Sequence, residues 1–95
     1  MIRDSLIIID VDQTIIAHND NLLPGVKDKI IHLFEHNRLW CWSHGGKDYA
    51  LKVLKRHGLN GFFDKILDKP FYYIDDIKEA GMIRLEWSEI NENQL

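Results

Sequence analysis

The run Ser5-Leu-Ile-Ile-Ile-Asp-Val11 constrains the fold more than any other feature of the chain. Its apolar core, Leu6 to Ile9, shows no alternation with polar residues and is mostly β-branched, the pattern of a strand covered on both faces in a parallel sheet flanked by helices. A chain of 95 residues has room for one such domain. From Gly25 to Asn37 the residues Val26, Ile30, Leu33 and Phe34 form one helical stripe behind Pro24. Leu39-Trp-Cys-Trp-Ser43 reads as a second strand. Gly45-Gly46 and a second helical pattern follow it, through Tyr49, Val53 and Leu54 to His57, closed by Gly58. After that the pattern is compressed: Lys65 to Asp68 is a candidate short strand, Phe71 to Asp75 a better one, and Met82 to Trp87 alternates like an edge strand. The expectation is a single α/β domain over residues 1–95, a minimal three-layer α/β/α sandwich with a mostly parallel, Rossmann-like sheet.

In open sheets of this kind the chemistry lies where strands end at their carboxyl side. The first strand ends in Asp10-Val-Asp-Gln-Thr14, the second in Ser43, the third segment in Lys69-Pro70 and the fourth in Asp75-Asp76. Gathering Asp10, Asp12, Asp75 and Asp76 in one place requires a cation to offset their repulsion. Magnesium suits them, being a hard ion held by one or two carboxylates together with waters and a substrate phosphate. Phosphoryl chemistry is therefore indicated. Twelve basic against fifteen acidic side chains leave a net charge of −3, so no bulk positive field attracts nucleic acid or anionic lipid. Leu6 to Ile9 is far shorter than the roughly 20 apolar residues of a membrane span, and the amino end lacks the features of a secretory signal. Cys41, the single cysteine, forms no internal disulfide and suits a reducing compartment, so a cytoplasmic protein is expected.

Taken together, these motifs resemble the haloacid dehalogenase superfamily, specifically its aspartate-nucleophile phosphatases. Asp10-Val-Asp-Gln-Thr14 is similar to the first motif, Ser43 to the second, Lys69 to the third and Asp75-Asp76 to the acidic fourth, so the resemblance covers residues 5 to about 76. It implies that Asp10 attacks phosphorus to form an aspartyl-phosphate, and that Asp12 protonates the leaving group and later activates water. It further implies that Ser43 and the turn after it bind phosphoryl oxygens, that Lys69 neutralises charge, and that Thr14 fixes the turn rather than touching substrate. The implied magnesium ligands are the Asp10 carboxylate, the Asp12 backbone carbonyl, Asp76, and Asp75 directly, through water or in a supporting role. Dehalogenases of this superfamily lack the second aspartate, so Asp12 favours a phosphate ester over a carbon–halogen bond as substrate.

Two departures stand out. Gln13 occupies a position where the family usually has glycine. Only five residues separate Lys69 from Asp75, whereas a parallel crossover takes about a dozen, so either Lys65 to Asp68 is no sheet strand or Lys69 reaches the site from a loop. No cap domain fits: Thr14 to Val26 holds a short flap at most, and one helix fills Ser43 to Lys69. An open site suits a macromolecular phosphate, or a lid supplied by a second protomer. Alternatives are a nucleic-acid end-processing phosphatase, given the basic run Lys47, Lys52, Lys55, Arg56 and His57, and a catalytically degenerate binding or regulatory module. His32-Leu-Phe-Glu-His36 formally matches a zinc-peptidase signature but reads better as a solvated helix face. A homodimer burying Met82, Ile83, Leu85 and Trp87 is a further expectation.

Overall fold

A computed structural model describes residues 2–90, in which strands and helices alternate: β1 (Leu6–Asp10), α1 (Val26–His36), β2 (Arg38–Ser43), α2 (Lys47–Arg56) and β3 (Lys65–Asp68). The strands form one parallel sheet in the order β1-β2-β3. The α/β class and the parallel sheet follow the sequence pattern, and the first four elements fall within a residue or two of their expected bounds.

Local chemistry explains the elements. In α1 the spacing of Val26, Ile30 and Leu33 puts all three on the buried face. Gly25, at φ 75°, supplies the left-handed residue that starts the helix. At the other end the nearly buried Asn37 donates from Nδ2 to the carbonyls of Leu33 (3.0 Å) and Ile2 (3.1 Å), and its Oδ1 accepts the Ser5 N–H (3.1 Å). The end of α1 is thereby tied to the chain entering β1. Phe34, counted in the apolar stripe from sequence, is instead 43% exposed and meets Phe62 edge-on at 5.2 Å.

Burial alternates along β2: Leu39, Cys41 and Ser43 are buried, while Trp40 and Trp42 are only partly covered. The second face of the sheet is therefore more lightly covered than the unbroken apolar run of β1 suggests. Part of its cover is a lysine, since Lys65 Nζ lies 4.9 Å from the centre of the Trp40 ring. Among the described residues no helix is long and apolar enough to cross a membrane.

Two expected strands do not form. Phe71 to Asp75 is irregular and outside the sheet, with Tyr72 92% exposed and Ile74 fully exposed. Its composition suits a strand, but Lys69-Pro70 is all that separates β3 from Phe71. That is far too short for a parallel crossover, and Pro70 has no N–H for a ladder. Met82 to Trp87 likewise forms no edge strand: it is extended and exposed as far as Glu86 and then enters a 3₁₀ turn, Trp87–Glu89. Trp87 is anchored by other means, its indole N–H donating to the Thr14 carbonyl (2.7 Å) and its own carbonyl accepting from Lys29 Nζ (2.7 Å). Ile90, just beyond, is buried in the core.

Candidate functional site

Three parallel strands end at the same edge of the sheet, and the residues there carry the chemistry. Asp10 closes β1 opposite Trp42, Ser43 closes β2 opposite Asp68, and Lys69 follows β3 directly. The Lys69 backbone N–H continues the ladder, donating to the Ser43 carbonyl at 2.9 Å. The Lys69 side chain runs back past the Trp42 ring, 5.8 Å from its centre, and places Nζ 3.9 Å from Asp10 Oδ1. Of the alternatives open from sequence, Lys65 to Asp68 is a true sheet strand and its following lysine does reach Asp10. Both side chains stay about one-third exposed (33% and 31%), so an approaching anion has access to the pair.

Beyond Asp10 the chain coils tightly. The Val11 carbonyl accepts the N–H groups of Thr14 (3.2 Å), Ile15 (2.8 Å) and Ile16 (3.3 Å), while the Gln13 N–H bonds back to the Ile16 carbonyl (2.8 Å). Gln13 sits at φ 62°, in the left-handed region, which is why a glycine would be easier at this position. Short bridges then pair Ile16 with Asp12 and with Leu22. The flap expected between Thr14 and Val26 is this small folded loop. Thr14 is half-buried and holds the turn through its backbone, with its carbonyl capped by the Trp87 indole. Asp12 projects from the turn, exposed, and its Oδ1 accepts a 2.6 Å hydrogen bond from the Tyr49 hydroxyl.

Ser43 forms the floor of the site, 1% exposed, with Oγ accepting the Gly45 N–H at 3.0 Å. The turn leads directly into α2, whose N-cap, Gly46, provides no side-chain cap. Asp68 from β3 takes that role, accepting the Lys47 N–H at 2.7 Å. His44 leans outward and stacks on Phe71, with ring centres 4.1 Å apart, at the mouth between Ser43 and Lys69.

Asp10, Asp12, Ser43, Thr14 and Lys69 thus come from adjoining strand ends and the turn after β1. Asp75 and Asp76 lie apart from them in the exposed segment after Pro70, where no strand carries them to the sheet edge. The Asp75 carboxylate is turned to its own backbone, accepting the Ile77 N–H at 2.9 Å. That bond, with a smaller contribution from Asp76, holds its pKa below the usual carboxylate range. Among the described residues no group of three or more His, Cys, Asp or Glu side chains is arranged to hold a metal, and this applies equally to His32 and His36 on α1. Asp10 and Asp12 nevertheless offer an oxygen-only donor set at one strand end, and the Asp10 carboxylate is about one-third exposed beside Lys69. Such a donor set has the oxygen chemistry that a hard cation such as magnesium takes, with waters completing the shell.

Two electrostatic features frame the site. Cys41, fully buried on β2, has its thiol pushed up to about 12, first by desolvation and then by the charge of Asp10. It is inert packing, not a nucleophile. Tyr49 is also pushed up to about 12, chiefly by its bond to Asp12. Tyr49, His44 and Phe71 belong to no motif legible in the sequence. The available signal for Tyr49 is its spacing of four from Gly45, which brings the ring back over the glycine. The chain matches no protein-family model, no curated protein and no solved structure.

Proposed function

We propose that this domain is a phosphomonoester hydrolase that works through an aspartyl-phosphate on Asp10, with magnesium as its cofactor. The reading is supported above all by Lys69 Nζ standing 3.9 Å from Asp10 Oδ1 at an edge that also carries Ser43 and Asp12. A carboxylate facing an ammonium at an open sheet edge is equipped to receive a phosphoryl group and to balance its charge.

In the first step an Asp10 oxygen attacks phosphorus, the bond from phosphorus to the leaving oxygen breaks, and Asp12 gives that oxygen its proton. In the second, water attacks phosphorus, returns a proton to Asp12 and frees the Asp10 carboxylate along with inorganic phosphate. Ser43 Oγ accepts from Gly45, so its own O–H proton is what it offers a phosphoryl oxygen. Lys69 balances charge on Asp10 and on the phosphoryl group. The Asp10 carboxylate and the Asp12 carbonyl would hold the magnesium, which supplies positive charge against the phosphoryl oxygens. Asp75 and Asp76 join that ligand set through the family resemblance alone. The three-layer sandwich belongs to the same reading, with its further layer over the Trp40 and Trp42 face. The substrate is a small or macromolecular phosphate ester, in keeping with a site that carries no cap.

A second reading, a catalytically degenerate binding module, is favoured by the position of Asp75 and Asp76 in an exposed, irregular segment. One experiment separates the two: hydrolysis of p-nitrophenyl phosphate with magnesium, with excess chelator, and by Asp10→Asn. Turnover lost in both controls is the expected result. Magnesium binding by a folded wild type that turns over neither this ester nor a phosphorylated oligonucleotide would favour the module.

A further inference from the structure

Asp12 projects from the turn after β1, and its orientation is set by a side chain from a different element. Tyr49, on the first turn of α2, donates its hydroxyl proton to Asp12 Oδ1 at 2.6 Å, across 37 positions of sequence. The Tyr49 ring is half-buried against the core, so the hydroxyl is delivered from a fixed base. Its place depends on Gly45: a Cβ there would stand 2.9 Å from Tyr49 Cδ2, too close for any real contact. The same Gly45 donates its N–H to Ser43 Oγ, so one turn sets the phosphate floor and makes room for the ring.

From this geometry we infer that Tyr49 is the positioning residue for Asp12, pinning Oδ1 so that Oδ2 carries the proton to the leaving group. The inference rests on the phosphatase reading and adds to it a residue outside every motif. A mobile carboxylate on an exposed turn samples many rotamers, and general acid catalysis requires it within hydrogen-bond reach of the leaving oxygen.

The test is Tyr49→Phe, which keeps the ring and removes the donor, assayed on an alkyl phosphate and on p-nitrophenyl phosphate, with inorganic phosphate as competitive inhibitor. A poor alkoxide leaving group needs the proton, whereas p-nitrophenolate departs without it. The expected result is a fall in kcat/KM of about tenfold on the alkyl ester, against about twofold or less on the aryl ester. The inhibition constant of phosphate stays within about twofold, since Tyr49 is assigned no phosphate contact. Equal losses on both esters, a parallel weakening of phosphate inhibition, or no loss at all would each overturn the assignment while leaving the phosphatase reading intact. A wild type inactive on both esters and on a phosphorylated oligonucleotide would remove the phosphatase reading and this inference with it.

Discussion

Asp68 makes a separable prediction about what holds α2 against the site. Its carboxylate accepts the Lys47 N–H at 2.7 Å and places a negative charge at the positive end of the helix, where Gly46 has no side chain to cap with. Replacing a capping side chain by alanine costs about 0.5–2 kcal/mol, and the charge at a helix end is worth about 0.3–1 kcal/mol. Asp68 is exposed and solvent screens it, which sets the expectation for Asp68→Ala at about 1 kcal/mol. In a domain of this size that lowers Tm by about 4–8 °C. Asp64→Ala is the control, because Asp64 pairs with Arg38 at 3.3 Å while both side chains are more than half exposed (51% and 66%). Such an exposed pair contributes at the low end of the range for surface ion pairs, about 0.2–0.4 kcal/mol, so a shift of about 1–3 °C is expected there. Asp68→Asn, which retains an acceptor without the charge, should fall between the two. Thermal melts followed by circular dichroism at low salt give all three values. If Asp68→Ala melts within error of Asp64→Ala, the cross-strand cap does not stabilise α2 and the reasoning fails.

Two further outcomes follow from the same geometry. Lys69→Met keeps most of the stem beside Trp42 but deletes the charge 3.9 Å from Asp10, an interaction worth about 1–4 kcal/mol between water and a protein surface. Steady-state kinetics should show kcat/KM on an aryl phosphate reduced about tenfold or more, and an unchanged value would remove Lys69 from the site. The Cys41 thiol loses its proton near pH 9 when unfolded but only near 12 when folded, so the folded state binds that proton more tightly. The associated stability is complete below pH 9 and falls by about 1.4 kcal/mol per pH unit above it, about 4 kcal/mol in all by pH 12. Urea unfolding at pH 8 and pH 10.5 should show this loss in the wild type and a shallower one in Cys41→Val. Parallel losses in the two proteins would contradict the assignment.

What could be read from the sequence divides according to the range of the interactions involved. β1, α1, β2 and α2 were legible because each is specified by its own periodicity and punctuation: the run Leu6 to Ile9, the spacing Val26, Ile30 and Leu33, and the glycines at 45, 46 and 58. Phe71 to Asp75 misled for the converse reason. Its aromatic and β-branched residues favour a strand, but pairing depends on where the preceding strand leaves the chain, and Lys69-Pro70 leaves it two residues from β3. Met82 to Trp87 alternates as a half-buried strand does, yet its single anchored ring, Trp87, is held by Thr14 and Lys29 from elements far away in sequence. The hydrogen bond from Tyr49 to Asp12 was invisible for the same reason, since no local pattern encodes a contact between a helix and a turn 37 positions away.

The pairing of strands also explains how the site is assembled across the sheet edge. Side chains alternate between faces along a strand, so the register that sets Asp10 beside Trp42 puts both on the face opposite Ser43. Lys69 follows Leu67, the partner of Trp42, by two positions and shares that face. Asp10 and Lys69 thus start two strand spacings and two residues apart, roughly 12 Å, and the lysine closes the gap by extending past the Trp42 ring. From the other face come Ser43, the Gly45 turn and α2 with Tyr49, and the tight turn through Gln13 carries Asp12 over to meet them. Asp10 and its counter-charge Lys69 are therefore fixed by strand register, whereas Asp12 and Ser43 are fixed by the turns. Changes at Trp42 should act through Lys69, and changes at Gly45 through both Ser43 and Tyr49.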